Sequence, residues 1–583
     1  MKELRFLNKF FLKYKWRLLL GLIITAIATI FRIVVPAKIG DSIDAVQRNF
    51  NGEITREVLK DVLLENILLI LGAAILSGFF TFLMRQTVIV VSRYIEFDLK
   101  NVVFEQYERL SLSFYKKNRT GDLMSRISED VSKVRMYAGP ALMYSTTTVT
   151  LFIVAISYMI YTAPLLTLYA VAPLPILSIS IYKLSIAIHK RSTIVQQYLS
   201  KLTTFTQESF SGISVIKAYG IEPRTNTEFE QLAETSKEKN IDLTKVQALF
   251  FPLMILLIGA SNLIVIYVGG NQFIDGKIDF GTIVEFLIYV NMLTWPVAIV
   301  GWVSSMVQQA EASQKRINEF LKVDPEVVNT TTSRSTIEGH IEFDKVSFTY
   351  PDTGITALKN VSFSIEPGET LAIIGNTGSG KSTILELMAR LYDVEQGNYT
   401  VDGAKATSLN LEDLRGNIGY VPQDAFLFSD SIENNIKFGN KNASKEQIIE
   451  AAKNAAVHNN IVNFNKGYET VLGERGITLS GGQKQRVSIA RALIKDPKIL
   501  LLDDCLSAVD TETEEEILQN LERITQDKTT VIVSHRVSSA KNADKIIVLE
   551  DGEIIQQGTH AHLINSDGYY KELYNKQLLE KEM

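Results

Sequence analysis

Gly375-Asn-Thr-Gly-Ser-Gly-Lys-Ser-Thr383 follows the apolar run Thr370-Leu-Ala-Ile-Ile374 and precedes Ile384-Leu-Glu-Leu-Met-Ala-Arg390. Strand, glycine loop and helix in this order predict an α/β domain with a phosphate site at the junction. Gly375, Gly378 and Gly380 let the backbone curl until several N–H groups face one point, at the positive end of the following helix. Lys381 is placed to reach the outer phosphates of a nucleoside triphosphate, and Ser382 to offer its hydroxyl to Mg²⁺. Asn376, Thr377, Ser379 and Thr383 complete the loop. A plain glycine-rich turn is the alternative, and the flanking strand and helix patterns argue against it.

The chain has 583 residues, room for several domains. Its net charge of -5 leaves no basic excess to neutralise a phosphate backbone, so a general nucleic-acid binder is not expected. Cys505 is the single cysteine, which excludes an intramolecular disulfide and a Cys-rich metal site; it reads as a small buried apolar residue.

Upstream of the glycine loop the composition changes. A basic start (Lys2, Arg5, Lys9, Lys13, Lys15, Arg17) leads into an apolar run too long for a secretory signal. Six predominantly apolar runs, at about 18–35, 62–84, 138–161, 164–186, 248–270 and 281–307, are long enough to cross roughly 30 Å of hydrocarbon. The stretches 85–136 and 187–247 are helical in pattern and basic, so the positive-inside rule puts them, and both termini, in the cytoplasm. Arg85 fits snorkelling to the interface, with a functional role as the alternative, whereas Glu285 fits either a polar path or the outer mouth. Tyr289, Met292, Trp295 and Trp302 fit ordinary helix packing, with an adaptable apolar pocket as the alternative. After Arg316-Ile-Asn-Glu-Phe320 the chain turns polar, through Asp324-Pro325 to Asn329–Ser335, and reads as a linker. From Ile337 the alternation of strands begins. The expected domains are a transmembrane domain over 1–320, a linker over 321–336 and a nucleotide-binding domain over 337–583.

Further residues converge on the phosphate loop. Lys498-Ile-Leu-Leu-Leu-Asp503 reads as a buried parallel strand whose carboxyl end places Asp503 to hold Mg²⁺, with Asp504 next as a general base. Thr530-Val-Ile-Val-Ser534 is a second such strand and delivers His535 to the same edge, within reach of a γ-phosphate. Gln423, after Tyr420-Val-Pro422, is a candidate for Mg²⁺ or the attacking water, and Tyr350 for stacking on a base. Leu479-Ser-Gly-Gly-Gln483 precedes a helical stretch, so Ser480, Gly481, Gly482 and Gln483 form a second phosphate-binding surface. One lobe cannot easily fold both surfaces onto one nucleotide, and two lobes facing head-to-tail satisfy the geometry.

This constellation, with Ser507-Ala-Val-Asp510 added, resembles the nucleotide-binding domain of an ABC transporter, and the six spans before it make the chain similar to a bacterial half-size ABC exporter of the multidrug and lipid-flippase group. The resemblance implies six transmembrane helices extended into the cytoplasm, fused to an α/β P-loop ABC ATPase. It implies ATP and Mg²⁺ as ligands, export of a hydrophobic drug or lipid, contact with membrane lipid, and a second half-transporter as partner. Tyr350 becomes the adenine-stacking aromatic, Gln423 the Q-loop glutamine, Ser480–Gln483 the signature and His535 the switch histidine. Asn118–Arg126 and Ser211–Gly220 resemble the first and second coupling loops. One residue departs from the pattern: Asp504 stands where the catalytic glutamate is usual. The family places such an Asp in degenerate sites, which favours a heterodimer over a homodimer and keeps an ATP-gated channel or regulator as the alternative. No organelle transit-type leader is visible, and the cytoplasmic membrane of a bacterium is the expected location.

Overall fold

The computed structural model describes residues 2–473, 476 and 479–582; of 177, 297, 298 and 580–582 it describes the backbone only. The outermost residues of the two expected domains, 1 and 583, therefore lie outside the described part, with one side chain of the fourth expected span and two of the sixth. Contacts divide the chain into two compact units, Met1–Gln106 with Gly121–Lys322, and Tyr107–Thr120 with Val323–Met583.

Six helices of the first unit are long and apolar enough to cross a membrane, among the described residues: α1 (Lys15–Phe50), α2 (Arg56–Arg109), α3 (Thr120–Thr162), α4 (Pro164–Ser211), α5 (Glu222–Ile274) and α6 (Phe280–Leu321). Each outruns its apolar stretch. The 36 residues of α1 are about 54 Å long, well beyond the hydrocarbon thickness, and continue past Pro36 into the polar Lys38, Asp41 and Asp44. Small residues let α1 and α2 approach: a Cβ on Gly21 would lie 2.6 Å from Val88 Cγ2. The α2 flank facing outward is apolar and exposed, Ile75 at 70 %, as a lipid-facing surface requires. Ala155, Met159, Leu166, Phe286, Tyr289 and Val290 form the interior. Glu285 sits among them at 5 % exposure, and the Tyr289 hydroxyl donates to the Ile33 carbonyl at 2.8 Å. Met292 packs on the same cluster, while Trp295 is 64 % exposed and Trp302 makes an edge contact with Tyr144. Among the last-span aromatics, Tyr289 packs inward and Trp295 does not.

Between α4 and α5 the second resembling loop forms a short helix, Ile213–Tyr219, closed by Gly220 at φ +64°. Its apolar side chains Ile213, Val215 and Tyr219 are exposed. The first resembling loop falls differently. Most of Asn118–Arg126 forms the start of α3, while its first residues, 118–120, fall with the second unit together with the preceding segment that carries the short helix Leu112–Lys117. Leu112 packs on the hydrophobic core of the second unit, the Ser113 hydroxyl donates to Glu326, and the Val327 N–H donates to the Ser111 hydroxyl at 2.9 Å. Local hydropathy sees a polar helix-to-helix turn here and carries no signal of that burial.

The second unit holds two sheets. β1 (Ile341–Thr349), β2 (Thr356–Ile365), β4 (Gln396–Val401) and β5 (Ala404–Lys405) form an antiparallel sheet in the order β2-β1-β4-β5. β3 (Thr370–Gly375), β6 (Ile418–Val421), β7 (Ile499–Asp503), β8 (Thr529–Val533), β9 (Lys545–Glu550) and β10 (Glu553–Gly558) form the other, in the order β10-β9-β3-β8-β7-β6, parallel except for β10. Its central strands are buried on both faces, which is why they read as unbroken apolar runs. The polar stretch after Val323 lies along this unit: the Thr330 hydroxyl donates to the Thr407 carbonyl, and Arg334 pairs with Asp413 at 2.6 Å.

Candidate nucleotide site

Register builds the site. Ile373 pairs with Val533, and Val533 with Asp503, so the carboxyl ends of β3, β8 and β7 lie side by side. The residues just past each strand emerge at one sheet edge: the glycine loop, His535, and Asp504. They border a cleft of ≈ 430 Å³ whose walls also carry Tyr350, Thr353, Gln423 and Lys116.

The loop is tightly wound. Gly375, Gly378 and Gly380 take φ of +155°, +83° and +100°, and a Cβ on Gly380 would run into the Ala357 carbonyl. The helix Lys381–Met388 starts directly after, with its first N–H groups at the loop. The Lys381 ammonium donates to the Gly375 and Asn376 carbonyls at 2.9 and 2.8 Å, and burial lowers its pKa to about 8 against the pull of Asp504 and Asp503. Ser379 Oγ is buried without a hydrogen-bond partner among the described residues. The Ser382 hydroxyl donates to Asp503 Oδ1 at 2.9 Å; burial raises the Asp503 carboxyl to about 6, opposed by that bond and reinforced by Asp504. Asp504 itself adopts φ +43°, with its N–H on the Val533 carbonyl at 3.0 Å. The His535 imidazole is pushed down by burial, then by the Lys381 charge. A left-handed glycine loop opening onto a helix N-terminus, an orphaned hydroxyl, a buried ammonium and paired oxygen ligands suit a triphosphate with Mg²⁺, a hard cation.

Ser480 caps the helix Gly481–Leu493: its hydroxyl accepts from the Gln483 N–H at 3.3 Å, and Gln483 Oε1 accepts from the Ser480 N–H at 3.0 Å. Ser480 and Gly481 are exposed, and none of the four residues 480–483 belongs to the cleft walls. That helix supports one cleft residue from behind, because Gln485 donates to the Gln423 carbonyl. Cys505 is buried and its thiol pKa pushed far up, so it is an apolar packing residue.

Tyr350 is held by its hydroxyl, which bonds Thr383 at 2.8 Å and Glu386 at 2.9 Å. The Lys116 ammonium lies 4.8 Å over its ring and 5.1 Å over that of Tyr392. Sequence reading missed Lys116, Glu386 and Thr353. Lys116 comes from the segment before α3, and only the nearby coupling-loop resemblance hinted at that region.

The ABC transporter transmembrane region matches residues 18–297, and the ABC transporter family matches 358–507. The multidrug resistance-like ATP-binding protein MdlA of Escherichia coli is 35% identical over 98% of this chain and 96% of its own. The chain is a half-size ABC exporter. The ATP-dependent lipid A-core flippase of Syntrophus aciditrophicus is 36% identical, with 83% of this chain and 81% of that protein covered. A bacterial Atm1-family ABC exporter solved with ATP bound superposes at a TM-score of 0.78, with 27% identity and 98% of both chains covered. The exporter is thus a multi-pass membrane protein, and membership of this ATPase family implies ATP hydrolysis coupled to transport.

Proposed function

We propose that this exporter moves a hydrophobic or amphipathic drug or lipid outward across the bacterial cytoplasmic membrane, by alternating access in a dimer with both termini of each chain in the cytoplasm. The observation that carries the dimer is the position of the signature: its capped helix end is exposed and contributes nothing to the walls of the chain's own cleft. A second phosphate-binding surface so placed serves a nucleotide held by another chain. ATP, bound between two such surfaces, has a higher affinity for the closed pair than for the open one, and that difference drives the conformational cycle. The similarity to a multidrug resistance-like protein and to a lipid flippase supports the substrate class.

Within the cleft, Lys381 and the loop N–H groups hold the phosphates, Tyr350 carries the base, and Ser382, Asp503 and Gln423 hold Mg²⁺. When bound, Mg²⁺ neutralises charge developing on the phosphate oxygens. Asp504 orients and deprotonates the attacking water, and His535 contacts the γ-phosphate. Asp504 is one methylene shorter than the usual glutamate, which supports a slow site completed by a different second chain. The test is ATP-dependent uptake of an amphipathic dye or labelled lipid into inverted vesicles, with and without Lys381→Ala. Uptake lost in the variant is expected; ATP-gated ion currents without uptake would overturn the exporter reading.

A further inference from the structure

The loop that carries His535 is held from two sides. On one, the buried Glu514 carboxylate accepts from Ser538 at 2.9 Å and Ser539 at 2.7 Å, and pairs with Arg536. On the other lies the C-terminal helix Tyr569–Glu582. Tyr570, fully buried, packs with Val537 and Ala540 and anchors that helix against the loop. Gln577, two turns further on, then spans the residue after His535. Its Oε1 accepts from the Val537 N–H at 2.8 Å, and its Nε2 donates to the His535 carbonyl at 2.9 Å.

The donor and acceptor roles here are unambiguous, because a backbone N–H can only donate and a carbonyl only accept. Val537 opens the short helix Val537–Ala540, so its N–H has no partner within that helix. A planar side-chain amide bonded at both ends fixes the backbone on either side of Arg536. The direction in which the His535 side chain leaves the main chain is fixed with it. The same helix reaches the phosphate loop, where the Tyr569 hydroxyl donates to Asn376 Oδ1 at 2.9 Å. Lys381 also donates to the Asn376 carbonyl.

We propose that Gln577 is a positioning residue for ATP hydrolysis, holding the His535 loop so that the imidazole faces the cleft. The proposal rests on the reading of His535 as the γ-phosphate contact. Tyr569 extends the same support to the phosphate loop, so one C-terminal helix keeps two walls of the cleft in register.

The experiment uses the full-length chain in lipid nanodiscs, with Gln577→Ala, Gln577→Glu and His535→Ala, each also in the Asp504→Glu background. Gln577→Ala is expected to lower kcat about 10- to 100-fold, a misplacement effect, with the KM for ATP changed less than about twofold. Gln577→Glu keeps the bond from Val537 and loses the one to His535, so it falls between. Hydrogen exchange, which needs no turnover, should rise roughly fivefold in the peptide 534–540 of Gln577→Ala and stay unchanged in 375–383. Parent kcat in Gln577→Ala alongside a silent His535→Ala overturns the positioning role alone. Parent kcat in His535→Ala overturns the reading of His535 and the proposal with it. Exchange rising across the whole ATPase unit reduces Gln577 to a structural residue and also overturns it.

Discussion

The Ser382 hydroxyl donates to Asp503 Oδ1 at 2.9 Å, joining the phosphate loop to the end of β7 across 121 residues of sequence. Both groups are the oxygen ligands proposed for Mg²⁺, so they are already within bonding reach of one point. Asp503→Asn removes the charge and keeps the shape. We expect it to weaken Mg²⁺-dependent ATP binding about 10-fold or more while leaving metal-free ATP binding nearly unchanged, as titration calorimetry with and without Mg²⁺ would read.

Asp504 is held by its backbone rather than by its side chain. Its N–H bonds the Val533 carbonyl, its carbonyl accepts from the Ser507 hydroxyl at 2.9 Å, and φ is +43°. A longer side chain at this fixed position reaches further into the cleft. Asp504→Glu is therefore expected to raise ATP turnover of the isolated chain by up to about 10²-fold, and Asp504→Asn to abolish what remains. Equal turnover in the parent and Asp504→Glu would show that aspartate works as the base here and that two copies of this chain suffice.

The loop glycines differ in what they tolerate. Gly378, at φ +83°, has open space where a Cβ would go, with no described atom within 4 Å. Gly378→Ala therefore bears only the left-handed backbone cost, about 1 kcal/mol. Gly380→Ala adds a collision with the Ala357 carbonyl and Leu358 to the same cost. Thermal unfolding of the ATPase transition should place Gly380→Ala several degrees below Gly378→Ala.

Much of this site was legible because parallel strands buried on both faces leave unbroken apolar runs, and the residue after each run emerges at one edge. Lys498–Asp503 and Thr530–Ser534 pointed to Asp504 and His535 in that way, and the register of β7 on β8 brings them together. Gln577 and Lys116 left no such trace. Each sits on a polar helix face and acquires its meaning from a backbone or ring supplied by a remote segment. Apolar windows likewise saw only the apolar stretch of each long helix, since α1 continues past it through the charged Lys38, Asp41 and Asp44.

Asp413 anchors the stretch that leads into β1. The Arg334 guanidinium, then the Ser335 N–H, hold its carboxyl below the ordinary carboxylate range. A depressed folded value contributes stability above the unfolded pKa, and that contribution is lost as pH falls through the folded value. Exchange in the peptide 329–335 should thus be flat from neutral pH down to about pH 4 and rise below it, after correction for intrinsic rates. Asp413→Asn should show the released state already at pH 7.

Lys116 pairs with Glu386 at 3.5 Å and covers the rings of Tyr350 and Tyr392. Lys116→Ala removes cation–π contacts of about 0.5–1 kcal/mol each at a half-exposed site. The expected result is several-fold faster exchange in 107–120, with the exchange of β7 and β8 unaltered.

Tyr107–Thr120 belongs to the same compact unit as Val323–Met583, although the whole stretch Gly121–Lys322 of the membrane unit separates them in sequence. A gene fragment beginning at Val323 would therefore encode an ATPase with a wound in it. The surface that Leu112 covers would be bare, Glu326 and the Val327 N–H would lose their serine partners, and Tyr350 would lose its ammonium lid. Such a fragment invites self-association through the bared apolar surface, and grafting 107–120 ahead of Val323 through a flexible tether is the direct remedy.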